Sequence, residues 1–333
     1  MATDTLGNRL TLLDIARRED PDGRVAKIVE VLNQTNPILQ DAPAYPSNAR
    51  MGNRVTLRSS LPSVAWARVN QGYTRSKGST RQVVDTIGLL TGLSEVDSKL
   101  KKIVGEGNFN AARWSEDQSF LEAMAQEVTG TMLYGNELTE ETTFTGLAPR
   151  LASSATAITG SQVRLHHSAP AGSDNTSMFV VDWGERGAHI IYPKESMAGL
   201  DARDLGEQRV TDAEGNPMMA YVMAYDWLIG LAVIDPRHIA RLANIDISQA
   251  LTDTSTFLVD SLVKLLNGMP PKNGMNRVIY TDRAILTALE LQVQNKGNVW
   301  LSIGEYLGEK SLHFRGNPIR TLDQMITNEG TLT

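Results

Sequence analysis

The sequence predicts an α+β protein. Residues 178 to 234 hold several apolar runs of strand length, one long helix-period segment ends at Gly135-Asn136, and strand and helix patterns alternate through the last third. With 41% hydrophobic and 21% charged residues over 333 positions, the chain can bury a large core, and ~100 to 200 residues per domain suggests two or three lobes. No cysteine is present, which excludes disulfides, thiolate nucleophiles and cysteine zinc sites.

Taken in order, the first 34 residues read as two short helices, with Leu6, Leu10, Leu13 and Ile15 on one stripe and Val25, Ile28, Val29 and Leu32 on the next. They lack an apolar h-region, and runs such as "LIGLAVI" fall far short of the ~20 residues of a bilayer span. A soluble, cytoplasmic product with no membrane partner is therefore expected. "NPILQDAPAYPSN" (36–48) has three prolines and no period, and reads as an extended connector.

Residues 53–82, "NRVTLRSSLPSVAWARVNQGYTRSKGSTRQ", carry Arg54, Arg58, Arg68, Arg75, Lys77 and Arg81 and no Asp or Glu, in a chain of formal net charge -6. Val55 and Leu57 alternate with polar residues, Val64, Trp66 and Arg68 continue the alternation, and "YTRSKGST" is rich in turn formers. A long two-stranded excursion over about 50–86 follows. Such a hairpin has too little apolar surface to stand alone, so it is expected to lie on something else.

Residues 89–104 lead into a helix whose start is set by the capping-box pattern Ser115-Glu116-Asp117-Gln118, with Leu121, Met124, Val128 and Met132 on one face and Gly135-Asn136 as the stop. "ETTFTGLAPRLASSATA" reads as a crossover. Strands are expected at "MFVVDW", "HIIYP" and "MMAYVMAYDWLIGLAVID", the last covered on both faces or bent across a sheet because its apolar run is continuous. Further on come a helix over 253–267 with Leu258, Leu262, Leu265 and Leu266 inward, a strand at "RVIY", and a helix capped by Asp282 that carries Ile285, Leu286, Leu289 and Val293. Two closing strands flank Gly316-Asn317-Pro318.

The search for chemistry gives no assembled site. Among His166, His167, His189, His238 and His313 no pair has helical i, i+4 spacing, and His166-His167 reads as a surface loop. There is no GxSxG, Walker loop or GxGxxG, and "GEGNF" lacks the residues of a phosphate cradle. Asp182 reads as a strand-to-turn residue, and Asp226 as a carboxylate that needs an Arg in its own sheet if buried. No catalytic, cofactor-binding or metal-ligating residue is assigned, and no cofactor is expected. The basic arm could bind phosphates and stack bases through Trp66 and Tyr73, but the acidic remainder would repel a nucleic acid.

This order of elements, with the helix "RWSEDQSFLEAMAQEVTGTMLYGN", its trailing "FTGLAPRL" and the closing "LHFRGNPIRTLDQMI", resembles the major capsid proteins of tailed bacteriophages, the Hong Kong 97-type fold, of the short kind found in short-tailed phages. The resemblance covers the whole chain. It implies an N-terminal arm (1–49), an E-loop hairpin (50–88), a P domain (89–240) with a spine helix at about 115–135, an A domain (241–310) and returning P-domain strands (311–333). It also implies a non-enzymatic shell protein that forms pentamers and hexamers of an icosahedral capsid around double-stranded DNA, together with a portal protein. The short N-terminal region implies a separate scaffold protein or none, and a cement protein is a further possible partner. Some relatives cross-link a loop Lys, and Lys77 is the only one in this arm, with no Asn or Glu partner identified for it. On this reading Arg54, Arg58, Arg68, Arg75, Lys77 and Arg81 contact acidic surface on another subunit. The alternatives are an encapsulin-like compartment that packages a cargo enzyme, and a cytosolic two-lobed α/β enzyme.

Overall fold

The computed structural model describes residues 36–70, 72, 74–151, 164–167, 174–196, 198–211, 215–252, 257–294, 301–306 and 309–332. The two helices expected before residue 35 lie outside the described residues. In chain order the elements are α1 (Ile38–Asp41), β1 (Ala44–Pro46), β2 (Gly52–Ser60), β3 (Ser79–Thr86), β4 (Gly88–Asp97), α2 (Ser98–Val104), α3 (Glu106–Tyr134), α4 (Leu147–Arg150), β5 (Arg164–His167), β6 (Asn175–Trp183) and β7 (Ala188–Tyr192). They continue with β8 (Leu200–Thr211), β9 (Pro217–Val233), β10 (Ile239–Asp246), α5 (Ile247–Thr252), α6 (Phe257–Gly268), β11 (Asn276–Thr281), α7 (Arg283–Gln294), β12 (Leu301–Tyr306), β13 (Glu309–Phe314) and β14 (Asn317–Thr321).

The chain divides into two compact units. One contains Leu89–Val128 and Gly199–Leu228, and the other Gln34–Gly88, Thr129–Ala198 and Ile229–Thr333. In the first, β8 pairs antiparallel with β9, and β9 neighbours β4. Aromatic pairs fasten α3 to this sheet: Phe109 meets Tyr221 at 5.3 Å between ring centroids, and Phe120 stacks on Tyr225 at 6.2 Å. Asp226 is ion-paired with Arg203 of the adjacent strand, so the expected partner from its own sheet is present.

In the second unit β6 is the central strand. It pairs antiparallel with both β10 and β11, and all nine of its residues are buried, which accounts for the continuous apolar run "MFVV". Outward from β11 lie β14, β13 and β12, while β5 extends the other side beyond β10. Helices α6 and α7 pack Leu258, Leu262, Leu265, Leu266, Ile285 and Leu289 into one core with Met178, Val180, Leu242, Ile279 and Phe314, as their periodicity requires. Asp282 caps α7 by accepting the Ala284 N–H at 2.8 Å.

Several sequence expectations are corrected. Residues 36–48 form the short helix α1 and the strand β1, which pairs parallel with β7, instead of a featureless connector. Residues 88–97 form β4, and the helix that follows them begins at Ser98. The long helix α3 starts at Glu106, not near Ser115: Gly105, with φ +86°, separates it from α2, and the Gly105 carbonyl accepts the Phe109 N–H at 3.0 Å. His166-His167 lies in strand β5. The closing turn is Arg315-Gly316, both with positive φ (52° and 74°), a type I′ geometry that leaves Asn317-Pro318 to open β14. The strand β8 was not foreseen, because "LDARDLGEQRVT" is largely exposed and charged.

Candidate assembly interface

Strands β2 and β3 form a separate two-stranded antiparallel hairpin, paired from Gly52↔Thr86 to Ser60↔Ser79. The register sorts the six cations predicted for the site. Arg54 stands opposite Val84 and Arg58 opposite Thr80, so these two share one face. Arg81 stands opposite Leu57, on the other face with Val55 and Val83. Arg68, Arg75 and Lys77 belong to the segment 61–78 beyond the ladder. All six are exposed, and none forms an ion pair with another described residue.

The alternation expected through Val64, Trp66 and Arg68 does not continue as strand. Residues 61–70 belong to no strand, and Pro62 near their start has no N–H to give a ladder. That segment bares Leu61, Val64, Trp66 and Val69, the last three at more than nine-tenths exposure. Exposed apolar groups gathered on one segment make it a candidate for contact with a partner. Sequence reasoning assigned the subunit contact to charge and weighed Trp66 only as a base-stacking group.

The root of the hairpin is built differently. Asp85 is buried, with Oδ1 accepting Arg150 Nη1 at 2.7 Å and Oδ2 accepting the Val233 N–H at 3.1 Å. Arg150 also donates through Nη2 to the carbonyls of Thr145 at 3.0 Å and Leu231 at 3.1 Å. Asn48 brackets Arg54, donating Nδ2 to its carbonyl at 2.7 Å and accepting its N–H at 2.8 Å. Thr86 donates its hydroxyl to Glu137 at 2.5 Å.

Buried carboxylates elsewhere in this unit act as cross-ties. Asp182 is fully buried within β6 and not at a turn, because it holds Arg277 at 2.5 and 2.7 Å and His238 Nδ1 at 2.6 Å, partners remote in sequence. Glu329 accepts Arg241 Nη2 at 2.9 Å, Tyr134 OH at 2.8 Å and the Ser177 hydroxyl. Asp41 accepts Tyr280 OH at 2.7 Å and Arg320 Nη1 at 2.8 Å. Each carboxylate is matched by an arginine, the condition under which a charge can be buried at all. Among the described residues no group of three or more His, Asp and Glu could hold a metal ion, and no helix is long and apolar enough to cross a membrane.

The family model for the major capsid protein GP7 matches residues 20–333. The chain belongs to this family. It is a major capsid protein, a structural subunit of a phage shell and not an enzyme, and it assembles with copies of itself in the virion capsid. The structure of bacteriophage Epsilon15 contains a chain 31% identical to this major capsid protein, with 99% of each chain covered and a TM-score of 0.79. The capsid of bacteriophage JBD30 matches at 10% identity over 90% of this chain and 95% of that one, with a TM-score of 0.50. The α+β fold is thus the Hong Kong 97-type capsid fold. An encapsulin from Synechococcus elongatus PCC 7942 is less similar, at 12% identity and a TM-score of 0.42 over 72% of this chain and 98% of that one. No curated protein sequence matches.

Proposed function

We propose that the hairpin Gly52–Thr86 is the E-loop of this capsid protein and that it closes over a neighbouring copy in the shell. The observation that supports this most is the combination carried by one arm: six exposed cations without an ion-pair partner among the described residues, beside bare Leu61, Val64, Trp66 and Val69. Residues 53–82 of the arm carry +6, which leaves the rest of a chain of net charge -6 at -12, so the complementary surface is the protein's own. Apolar anchors supply affinity and the cations supply steering and register. Single exposed pairs are worth only ~0 to 1 kcal/mol, so strength comes from repetition around the shell.

The remaining domain assignment follows the same reading. Residues 1–49 serve as the N-terminal arm, 89–240 as the P domain, 241–310 as the A domain around the capsomer centre, and 311–333 as strands returning to the P domain. Pentamers and hexamers of this unit close an icosahedral shell around double-stranded DNA. A portal protein occupies one vertex, and a scaffold or cement protein, where present, is a separate chain.

Reversing Arg54, Arg58, Arg68, Arg75, Lys77 and Arg81 to Glu together tests the clasp. The expected outcome is a folded protein that yields no closed shells in electron micrographs. Shells of normal form and number from that variant would contradict it.

A further inference from the structure

Among the described residues, the side-chain hydrogen bonds that join the hairpin to the rest of its subunit lie at its root. Between residues 55 and 84, every side-chain hydrogen bond among the described residues is internal to the arm: Ser59 and Ser60 to Ser79, and Ser76 to the Ser63 carbonyl. The direction of the arm is therefore decided at its root. At ~3.3 Å per residue, the nine residues of β2 reach about 30 Å, so a rotation of about 10° at the root moves the far end by about 5 Å. Such a displacement exceeds what a packed interface tolerates.

The root is over-determined in a way that fits this demand. Asp85 uses both carboxylate oxygens, one on Arg150 and one on the Val233 amide, and Arg150, at the end of α4, also holds the Thr145 carbonyl just before that helix and the Leu231 carbonyl in β9. Side-chain burial is close to complete on the acid and high on the arginine (1% and 16% exposed). The backbone at 85–86 is also gripped sterically. A Cβ on Gly52 would lie 2.4 Å from the Asp85 carbonyl oxygen, and one on Gly230 would lie 2.4 Å from that of Thr86. The planar arginine fork fixes angles as well as distance, which a lysine ammonium would not.

We propose that Asp85 and Arg150 are positioning residues for assembly: their buried pair sets the angle at which the hairpin leaves the body, and thereby the curvature at which copies join. This rests on the hairpin being the segment that grips a neighbour. Neither residue touches that neighbour itself.

The test uses the full-length protein and three variants: Arg150→Lys, which keeps the charge and loses the fork, Asp85→Asn, and the double variant Asp85→Leu with Arg150→Met, in which the buried charges are replaced together. Thermal unfolding of dissociated subunits reports stability, and electron microscopy reports the distribution of particle diameters, which a merely stabilising pair would leave unchanged. The expected result for R150K and for the apolar double variant is a cooperative unfolding transition with loss of uniform diameter, as open sheets or shells of mixed size. Wild-type diameters and yield from either folded variant would overturn the proposal, whatever D85N does. If those variants assemble normally while the charge-reversed arm does not, the positioning role fails and the clasp stands. If the charge-reversed arm also assembles normally, the clasp itself has failed.

Discussion

Arg277 and Asp182 face each other across the β11–β6 register, and the guanidinium takes both carboxylate oxygens, Nε to Oδ1 at 2.5 Å and Nη2 to Oδ2 at 2.7 Å. The same arginine donates to the Pro270 carbonyl at 2.7 Å, so the pair ties the central sheet to the segment that follows α6. Arg277→Ala leaves a fully buried carboxylate that, among the described residues, keeps His238 as its hydrogen-bond partner and no arginine. The expected loss is ~3 to 5 kcal/mol of unfolding free energy, read by urea titration of dissociated subunits.

Gly230 lies in β9 where the strand passes the hairpin root. Gly230→Ala puts a methyl group 2.4 Å from the Thr86 carbonyl oxygen, backbone that cannot rotate away. A destabilisation of ~1 to 3 kcal/mol is expected in the same assay. The exposed Gly72, with nothing near its Cβ direction, should accept alanine with a change of under about 0.5 kcal/mol.

His189 is buried against the Tyr45 ring and near the Gly184 carbonyl, and burial holds its pKa below the ordinary 6.5, against the opposing pull of Gly184, Asp85 and Glu185. The unfolded chain therefore binds the proton more readily than the folded one. Stability is fully present above pH 6.5 and falls as the pH drops from there through the lower folded value. His189→Gln should flatten the slope of unfolding free energy against pH in this window, and an unchanged slope would refute the assignment.

Much of this architecture was legible in the sequence, and the misses have physical causes. The buried strand β6 and the inward faces of α6 and α7 announce themselves because a core element must be apolar where it is covered. The start of α3 was misplaced because Ser115 to Gln118 satisfy a capping pattern locally, whereas the helix had already begun at Glu106; the nearer signal was Gly105. The root pair was invisible because Asp85 and Arg150 are 65 positions apart and meet only through the fold. The cations of the arm stood out as a one-signed run, yet the register divides them between two faces and a tip, which a charge count cannot show.

Trp66 and Val64 contribute nothing to the core of their own subunit, being at least 93% exposed. Replacing both with Ser should leave subunit unfolding unchanged within about 0.5 kcal/mol. Assembly should suffer far more, with the concentration needed for shells raised roughly tenfold or beyond, as expected for a buried aromatic anchor worth at least ~2 kcal/mol. Light scattering against protein concentration measures it.

The most direct test of the clasp is a reconstruction of the assembled shell at side-chain resolution. Residues 61–69, with Trp66 among them, should lie buried on another copy, and the arginines of the arm should face carboxylates of that copy. A hairpin that projects freely into solvent, or lies back on its own subunit, would contradict the account.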